Sequence, residues 1–226
     1  VANAISKEIV VAKTGSPLVV GVGEQELFVA SDASGIIKYT RKVIFLEDKQ
    51  MAILGQKLKL IALPKGEEIE PKYHIIDWKF EEVTMGKYKH FFLKEIYDQP
   101  KIIDNIALNY RKEAEGLADL IRNAYGTFVL ACGSASYAAL AAVYYFSRIA
   151  KKHVNFAIGS EFIYLEDYIT PRTLVIPISQ SGESVDVIEP VARAKDKGAK
   201  IAAIVNVLGS TLYRLSDYKI LINAGI

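Results

Sequence analysis

Uncharged hydrogen-bonding side chains surround one glycine in the segment SQSGES, which runs from Ser179 to Ser184. The segment follows an aliphatic run, TLVIPI, and precedes a pattern that is typical of a helix. Ligands of open parallel sheets bind at the carboxyl ends of the strands, where the following helices present unpaired backbone N–H groups. The glycine permits a tight turn, and the side chains donate hydrogen bonds without adding charge. This pattern predicts a cup for a phosphate monoester, formed by Ser179, Gln180, Ser181 and Ser184.

A second loop, CGSAS from Cys132 to Ser136, offers a glycine and two more hydroxyl groups after another apolar run. Serine and glycine are also ordinary loop and helix-cap residues, so either loop taken alone is explained by structure. Together the two loops favour one ligand, a phosphorylated sugar. No lysine follows the glycines as in a Walker loop, and GVGEQE at Gly21 lacks the third glycine of a dinucleotide-binding fingerprint.

The elements that must position these loops alternate along the second half of the chain. TFVLACGS, TLVIPIS and KIAAIVNV are predicted to be strands, and YAALAAVYYFSRIA and VIEPVARAKDKG are predicted to be helices. Such alternation predicts an α/β fold with a parallel sheet covered on both faces. One amphipathic helix is predicted through Ile106 and Ile121, with Gly126 at its C-terminal cap. Pro190 predicts a helix that begins near Val187 or is kinked.

The first half of the chain has a different pattern, with short runs of β-branched and aromatic residues separated by turn residues. It predicts mostly antiparallel strands, with a helix only around Ser31 to Lys38. LKLIAL and HIIDWKF are candidates to pair across PKGEE, although a longer connection is equally compatible. The charged and aromatic stretch from Glu81 to Pro100 is predicted to connect two domains.

Composition excludes several functional classes. A formal net charge of +2, from 28 basic and 26 acidic residues, indicates neither a nucleic-acid partner nor an acidic membrane surface. The single cysteine, Cys132, excludes an internal disulfide framework and favours a reducing compartment, which we expect to be the cytoplasm. No leader pattern or long apolar run is visible, so no membrane is expected. Three scattered histidines show no metal-ligand spacing, and we expect neither a metal nor a cofactor.

Several longer motifs resemble those of the glutamine–fructose-6-phosphate aminotransferases. They are ACGSASYAAL, PISQSGESVDV, NVLGSTLYRLSD and INAG in the second half, and GSPLVVGVGEQELFVASD, KVIFLEDKQMAIL and HFFLKEIYDQP earlier in the chain. The resemblance implies the C-terminal part of an N-terminal-nucleophile-type glutaminase domain over residues 1–84 and a linker over 85–103. It further implies the first sugar isomerase (SIS) domain, an α/β/α domain truncated at its end, over residues 104–226.

The resemblance also implies a function and a set of site residues. The family makes glucosamine 6-phosphate from fructose 6-phosphate and glutamine, and its SIS domains commonly pair in homodimers. Carried over, the sugar phosphate is bound by Ser179, Gln180, Ser181, Ser184 and Ser134, with Val207 near the sugar. Ala135 departs from the family by replacing a hydroxyl residue, which loses one phosphate hydrogen bond unless Ser136 supplies it. Glu183 is expected to face solvent or a partner subunit, since a carboxylate would repel phosphate.

The family's glutaminase cysteine and the acid/base, ring-opening and Schiff-base residues of its second SIS lobe have no counterpart among these motifs. We therefore expect a middle section that binds fructose 6-phosphate or glucosamine 6-phosphate but has no catalytic centre of its own. Cys132 is expected to be a packing thiol. Two alternatives remain open at this point. One is a non-catalytic sugar-phosphate-binding SIS module or regulator, and the other is a purely structural half of an oligomer.

Overall fold

The computed structural model describes residues 2–3, 7–76 and 85–225, which form two compact units. The first unit ends at Lys89, and the second runs from His90 to Gly225. Among the described residues, no helix has both the length and the apolar character that crossing a membrane requires.

The first unit is built from two antiparallel sheets, as its pattern of short β-branched runs predicts. Its strands are β1 (Ala2–Asn3), β2 (Glu8–Lys13), β3 (Val19–Val22), β4 (Leu27–Ala30), β5 (Lys42–Phe45), β6 (Gln50–Leu54), β7 (Leu58–Ala62), β8 (Glu67–Ile69) and β9 (His74–Ile75). The sheet orders are β1-β2-β6-β7-β8 and β4-β3-β5-β9. Val20 and Ile44 of one sheet pack with Ala52 and Leu60 of the other, so the two sheets share an apolar core.

Two local predictions for this unit are wrong. Among the described residues, LKLIAL pairs with β8 directly after the turn, whereas the start of the run at His74, β9, pairs with β5 in the other sheet. A four-residue turn is enough to bring β8 back beside β7, which leaves β9 for another partner. Residues 77–80 of that run lie outside the described part. The helix predicted around Ser31 to Lys38 is only a 3₁₀ turn at Ala33–Gly35, which the Asp32 carboxylate caps by accepting from Ser34 N at 2.7 Å.

The second unit confirms the predicted parallel sheet with helices on both faces. Its elements are α1 (Phe91–Asn109), α2 (Arg111–Asn123), β10 (Gly126–Ala131), α3 (Ser134–Tyr145), β11 (Asn155–Ile158), β12 (Thr173–Ser179), α4 (Val185–Asp196), β13 (Lys200–Val205), α5 (Thr211–Leu215) and β14 (Tyr218–Leu221). The strand order is β11-β10-β12-β13-β14, and every pair is parallel. A 3₁₀ segment, Gly159–Tyr168, links β11 to β12. Two of these strands, β11 and β14, were not predicted from the sequence.

Alternation along β10 shows how both faces of the sheet are covered. Leu130 packs in one buried cluster with Val187 of α4, whereas Val129 packs in another with Ile121 of α2 and Ala139 of α3. Successive strand residues point to opposite faces, and both faces bury apolar side chains here. The six residues of β10 are therefore almost continuously apolar, and the strand ends at Ala131, where the loop to α3 begins.

The single helix predicted through Ile106 and Ile121 is two helices. The chain leaves helical geometry at Tyr110, whose hydroxyl donates to the carbonyls of Leu221 and Ile222 at 2.8 Å each. This contact with the end of β14 separates α1 from α2. The second helix ends at Asn123, and Gly126 begins β10 instead of capping a helix.

Pro190 lies inside α4, which begins at Val185. Proline has no N–H to donate to the carbonyl four residues earlier, which is that of Asp186. This carbonyl faces Gly159, where a Cβ atom would lie 2.3 Å from the oxygen. The first turn of α4 thus packs directly on the backbone at the end of β11.

Candidate functional site

Three loops leave the parallel sheet side by side at its carboxyl edge. Ala131 of β10 pairs with Ile178 of β12, and Ser179 pairs with Val205 of β13. The loops that begin at Cys132, at Ser179 and at Asn206 therefore start from adjacent strands at the same level. All of the site residues predicted from the sequence lie in these three loops or at the helix starts that follow them.

The loop from Ser179 to Ser184 is held in shape by its own hydroxyl groups. Ser179 is buried, and its Oγ accepts a hydrogen bond from Gly182 N at 3.1 Å and lies 3.2 Å from Ser184 Oγ. Ser181 Oγ accepts from Glu183 N at 3.2 Å. Gln180 is exposed, and its carbonyl accepts from Asn206 N at 3.0 Å. Ser181 and Ser184 are both half-buried. The Ser181 hydroxyl keeps a proton that can be donated to a ligand, whereas in the contact between Ser184 and Ser179 either hydroxyl can be the donor.

Gly182 cannot be replaced by a larger residue without strain. Its φ angle is +66°, and a Cβ atom there would lie 2.1 Å from Ser210 Oγ in the third loop. Ser210 is itself buried, and its Oγ has no hydrogen-bond partner in the described part of the chain. The glycine therefore serves the close approach of two loops as well as the turn.

Glu183 contacts another loop of its own chain, an interaction that the sequence did not predict. Its Oε1 accepts a hydrogen bond from the backbone N–H of Thr211 at 2.7 Å, and its side chain is half-buried. The first N–H groups of a helix have no partner within the helix and attract negative charge. The carboxylate is thus used to join the Ser179 loop to the start of α5.

The serine hydroxyls that follow β10 lie at the start of helix α3. Gly133 has a φ of +58°, and α3 begins at Ser134, which is exposed. Ser136 Oγ donates to the carbonyl of Gly133 at 2.6 Å. Its proton is therefore already used, so Ser136 must rotate before it can replace the hydroxyl that Ala135 lacks. The side chain of Ala135 packs instead against the core cluster that contains Ala131.

The two remaining predicted positions have mainly structural surroundings. Cys132 is half-buried and packs against the core, and its Sγ lies near Gly159, where a Cβ atom would be 2.9 Å away. Val207 is half-buried, and its carbonyl accepts from Ser210 N at 3.3 Å in the turn of the third loop.

Two residues of the third loop were missed from the sequence. Asn206 is buried; its amide donates to the carbonyl of Gly225, and its Oδ1 accepts from Ala224 N at 2.7 Å. Ser210 closes on Gly182, as described above. A signal was available for Asn206, because a polar residue that directly follows a strand as apolar as KIAAIV lies at the carboxyl edge of the sheet. Ser210 lies further along the loop and carried no such signal.

The side-chain donor groups of the three loops are hydroxyls and amides. Among the residues that the structure describes, no three His, Cys, Asp or Glu side chains are grouped as metal ligands would be. The arrangement consists of hydroxyls, the amides of Gln180 and Asn206, the hydrogen-bonded carboxylate of Glu183 and the amino-terminal ends of α3 and α4. Such groups can bind an anion by hydrogen bonds and helix dipoles alone.

Comparison with known proteins agrees with this architecture. Residues 120–226 match the family model described as SIS domain. The chain is 38% identical over 230 residues to a glutamine–fructose-6-phosphate aminotransferase (isomerizing) of Thermus thermophilus, covering 100% of this chain and 38% of the relative. It is 40% identical over 220 residues to the enzyme of the same name from Thermococcus kodakarensis, covering 96% and 36%. The chain therefore spans well under half the length of the relatives that it matches.

Solved structures show the same fold for the second unit. The C-terminal domain of glucosamine-fructose-6-phosphate aminotransferase from Francisella tularensis matches with a TM-score of 0.56 and 30% identity, covering 63% of this chain and 42% of that one. An Escherichia coli protein, c3406, matches with a TM-score of 0.51 at 17% identity, covering 58% and 71%. The second match supports the fold alone.

Proposed function

We propose that this chain supplies the sugar-phosphate cup of a glutamine–fructose-6-phosphate aminotransferase. It resembles these enzymes over its whole length and carries a SIS domain at residues 120–226. The resemblance read from the sequence motifs is confirmed by these relatives. The proposed reaction of the whole enzyme is the formation of glucosamine 6-phosphate from fructose 6-phosphate and glutamine.

One observation carries the proposal: the pairing of Ala131 with Ile178 and of Ser179 with Val205 brings three polar loops to one edge of the sheet. Two of these loops lead into helices of 12 residues each, α3 and α4, whose first N–H groups lack intrahelical partners. A phosphate placed between them would meet two positive helix ends and several hydroxyl donors.

Within the cup we assign different tasks to the serines. Ser179 is buried and already bound to Gly182 N, so its task is to hold the loop in its binding conformation. Ser134, Gln180, Ser181 and Ser184 are exposed or half-buried and are the proposed donors to the phosphate oxygens. Hydrogen bonds to a charged partner each contribute about 1.5–3 kcal/mol, so the absence of a hydroxyl at Ala135 weakens binding without abolishing it.

The engagement of Glu183 supports an anionic ligand. A free carboxylate beside the cup would repel a phosphate dianion, but this carboxylate accepts from Thr211 N at the start of α5. The positive end of that helix partly offsets its charge. The acidic residue of SQSGES is thus held by the start of α5, and the hydrogen-bond donors of the cup are left to the ligand.

The proposal extends to the rest of the chain by family resemblance. Residues 1–84 are proposed to be the C-terminal part of the glutaminase domain, residues 85–103 the linker, and residues 104–226 part of the first SIS domain. A homodimer through SIS domains is supported by the exposed apolar side chains that α3 and the turn after it present. These are Tyr137, Tyr144, Tyr145 and Ile149. The single free cysteine supports a cytoplasmic location.

Calorimetric titration with fructose 6-phosphate tests the cup. We expect binding of fructose 6-phosphate, no measurable binding of fructose, and loss of binding in the double variant S181A/S184A. Ser160, which is exposed and hydrogen-bonded to Glu161, supplies the matched control S160A. Equal binding by S181A/S184A and the unmodified chain would contradict the assignment. Glucosamine 6-phosphate formation by the complete natural polypeptide separates an enzyme from a regulator, which would bind the sugar phosphate without turnover.

A further inference from the structure

A cavity of about 830 Å³ lies at the edge of the parallel sheet opposite the serine loops. Its lining includes Gly126, Asn155 and Thr173, which are the first residues of β10, β11 and β12. Because β12 is seven residues long, roughly 20 Å of strand separates this cavity from the cup. Its size falls in the range of small-molecule sites.

The cavity arises because β11 begins later than its neighbour. β10 pairs with β12 from Gly126 onward, but it pairs with β11 only from Phe128 onward. Gly126 and Thr127 therefore have a neighbouring strand on one side only. On the other side the chain turns through Lys152 and His153 before β11 starts, and these two residues line the gap.

Aromatic rings border this gap, among them those of Tyr125, Phe156 and Tyr168. The two tyrosines are highly exposed, so they form the rim of the cavity. The guanidinium of Arg172 lies 4.9 Å from the centre of the Tyr125 ring. Flat apolar walls with polar tips suit a planar ring on the ligand.

Basic side chains border the cavity, and its described lining includes no Asp or Glu. Lys152 and His153 line it, and Arg172 is stacked at its rim. In the part of the chain that the structure describes, no carboxylate forms an ion pair with any of these three residues. Basic groups without an internal partner attract an anion locally, even though the chain as a whole is nearly neutral.

A buried hydroxyl in the same lining lacks a partner. Thr127 is 2% exposed, and its Oγ1 makes no hydrogen bond to any other described residue. Buried polar atoms are nearly always hydrogen-bonded, and an exception calls for a physical account. Oγ1 itself has almost no accessible surface, so a rotation of the Thr127 side chain would present this hydroxyl to a molecule bound in the cavity.

We propose that this cavity is a second binding site, which takes a small molecule with a planar ring and one anionic group. The ring lies among Tyr125, Phe156 and Tyr168, and Lys152 and His153 bind the anion. The site shares no residue with the sugar-phosphate cup and does not depend on the function proposed for it.

Amide chemical-shift mapping by NMR, with 2-naphthoate as the probe, tests this proposal. Naphthoate has a ring and a carboxylate but no phosphate, so it does not mimic the ligand of the cup. We expect concentration-dependent shifts at residues 125–128 and 152–156, unchanged by saturating fructose 6-phosphate. We also expect at least about ten-fold weaker binding of 2-naphthol, which lacks the charge, and of acetate, which lacks the ring.

Variants locate the binding groups. K152A/H153A is expected to reduce naphthoate affinity at least about ten-fold, while K101A/K112A, which removes two exposed cations elsewhere in the same unit, leaves it unchanged. T127V, which keeps the side-chain shape, is expected to reduce affinity several-fold. Should T127V fail to fold, the naphthoate affinity of K152A/H153A still tests the proposal. Shifts that map outside the cavity, or equal affinity in K152A/H153A and the unmodified chain, would overturn the proposal.

Discussion

Gly182 and Ser210 approach each other so closely that a methyl group on the glycine would lie 2.1 Å from the serine Oγ and 2.6 Å from its Cβ. The two residues belong to loops that follow β12 and β13, so this contact fixes the distance between two walls of the candidate cup. Together with the hydrogen bond between Glu183 and Thr211, it ties the Ser179 loop to the start of α5.

The variant G182A should therefore destabilise the chain and abolish sugar-phosphate binding. The left-handed backbone alone costs a non-glycine residue about 1–2 kcal/mol, and the clash with Ser210 adds to it. Urea unfolding and calorimetry with fructose 6-phosphate measure the two effects. The double variant G182A/S210G removes the clash but not the backbone strain, so it should recover part of the lost stability. A double variant no more stable than G182A would show that the loop contact is not the cause.

Removal of the Glu183 carboxylate should loosen the Ser179 loop. E183A loses the hydrogen bond to Thr211 N at the start of a helix, which is worth about 0.5–2 kcal/mol. We expect lower stability and several-fold weaker binding of fructose 6-phosphate. Glu189 is exposed on the neighbouring helix α4, and E189A provides the control. A gain in phosphate affinity for E183A would mean instead that the carboxylate repels the ligand.

Two serines of the cup should separate stability from binding. S179A leaves the buried N–H of Gly182 without its acceptor, so the free energy of unfolding should fall by about 1–3 kcal/mol. S134A changes an exposed residue and should alter stability by less than about 0.5 kcal/mol while weakening fructose 6-phosphate binding about ten-fold or more. Thermal unfolding and titration of both variants check the division. The assignment fails if S134A leaves the affinity unchanged.

Gly159 should tolerate no side chain. In G159A the new methyl group would meet the Asp186 carbonyl at 2.3 Å and Cys132 Sγ at 2.9 Å, and a carbonyl in the helix backbone cannot move aside. Overpacking of this kind costs about 1–3 kcal/mol. A Cβ atom added to Gly126 would have no other atom within 4 Å, so G126A should change stability much less. Equal unfolding midpoints for the two variants would contradict the close approach of α4 to the end of β11.

The contribution of Tyr218 to the stability of the chain should fall at high pH. Its hydroxyl donates to the carbonyl of Glu113 at 2.9 Å, and burial, with a smaller contribution from the Glu113 charge, raises the pKa of Tyr218 above 10.0. A group with a raised folded-state pKa contributes stability that is present below the unfolded pKa and is lost as the pH rises through the folded pKa.

Urea unfolding of the unmodified chain and of Y218F, at about pH 8 and at about pH 11, measures this effect. The Y218F variant should be less stable at the lower pH by about 0.5–1.5 kcal/mol, because one hydrogen bond is lost. The difference between the two proteins should then shrink at the higher pH. A difference that stays constant would indicate that Tyr218 does not titrate differently in the folded chain.

Much of the second unit was determined by its sequence alone. The strands that end at Ala131, Ser179 and Val205 are apolar runs bounded by polar loops, and helical periodicity between them fixes a parallel sheet. The serine loops could be predicted at the carboxyl edge for the same reason, since turn residues after a buried strand have no other place to lie. The local sequence pattern is enough to predict an element and its neighbours wherever the order of elements along the chain determines which of them pack together.

Only the tertiary structure decided which distant groups meet. The break at Tyr110 depends on carbonyls more than one hundred residues away, the pairing of β9 with β5 depends on a second sheet, and the orientation of Glu183 depends on the start of α5. The same holds for the cavity at Thr127, which exists because β11 begins later than β10. In each of these cases the local sequence is compatible with more than one interaction partner. The observed partner is the one that lets the whole chain satisfy its buried polar groups and fill its interior.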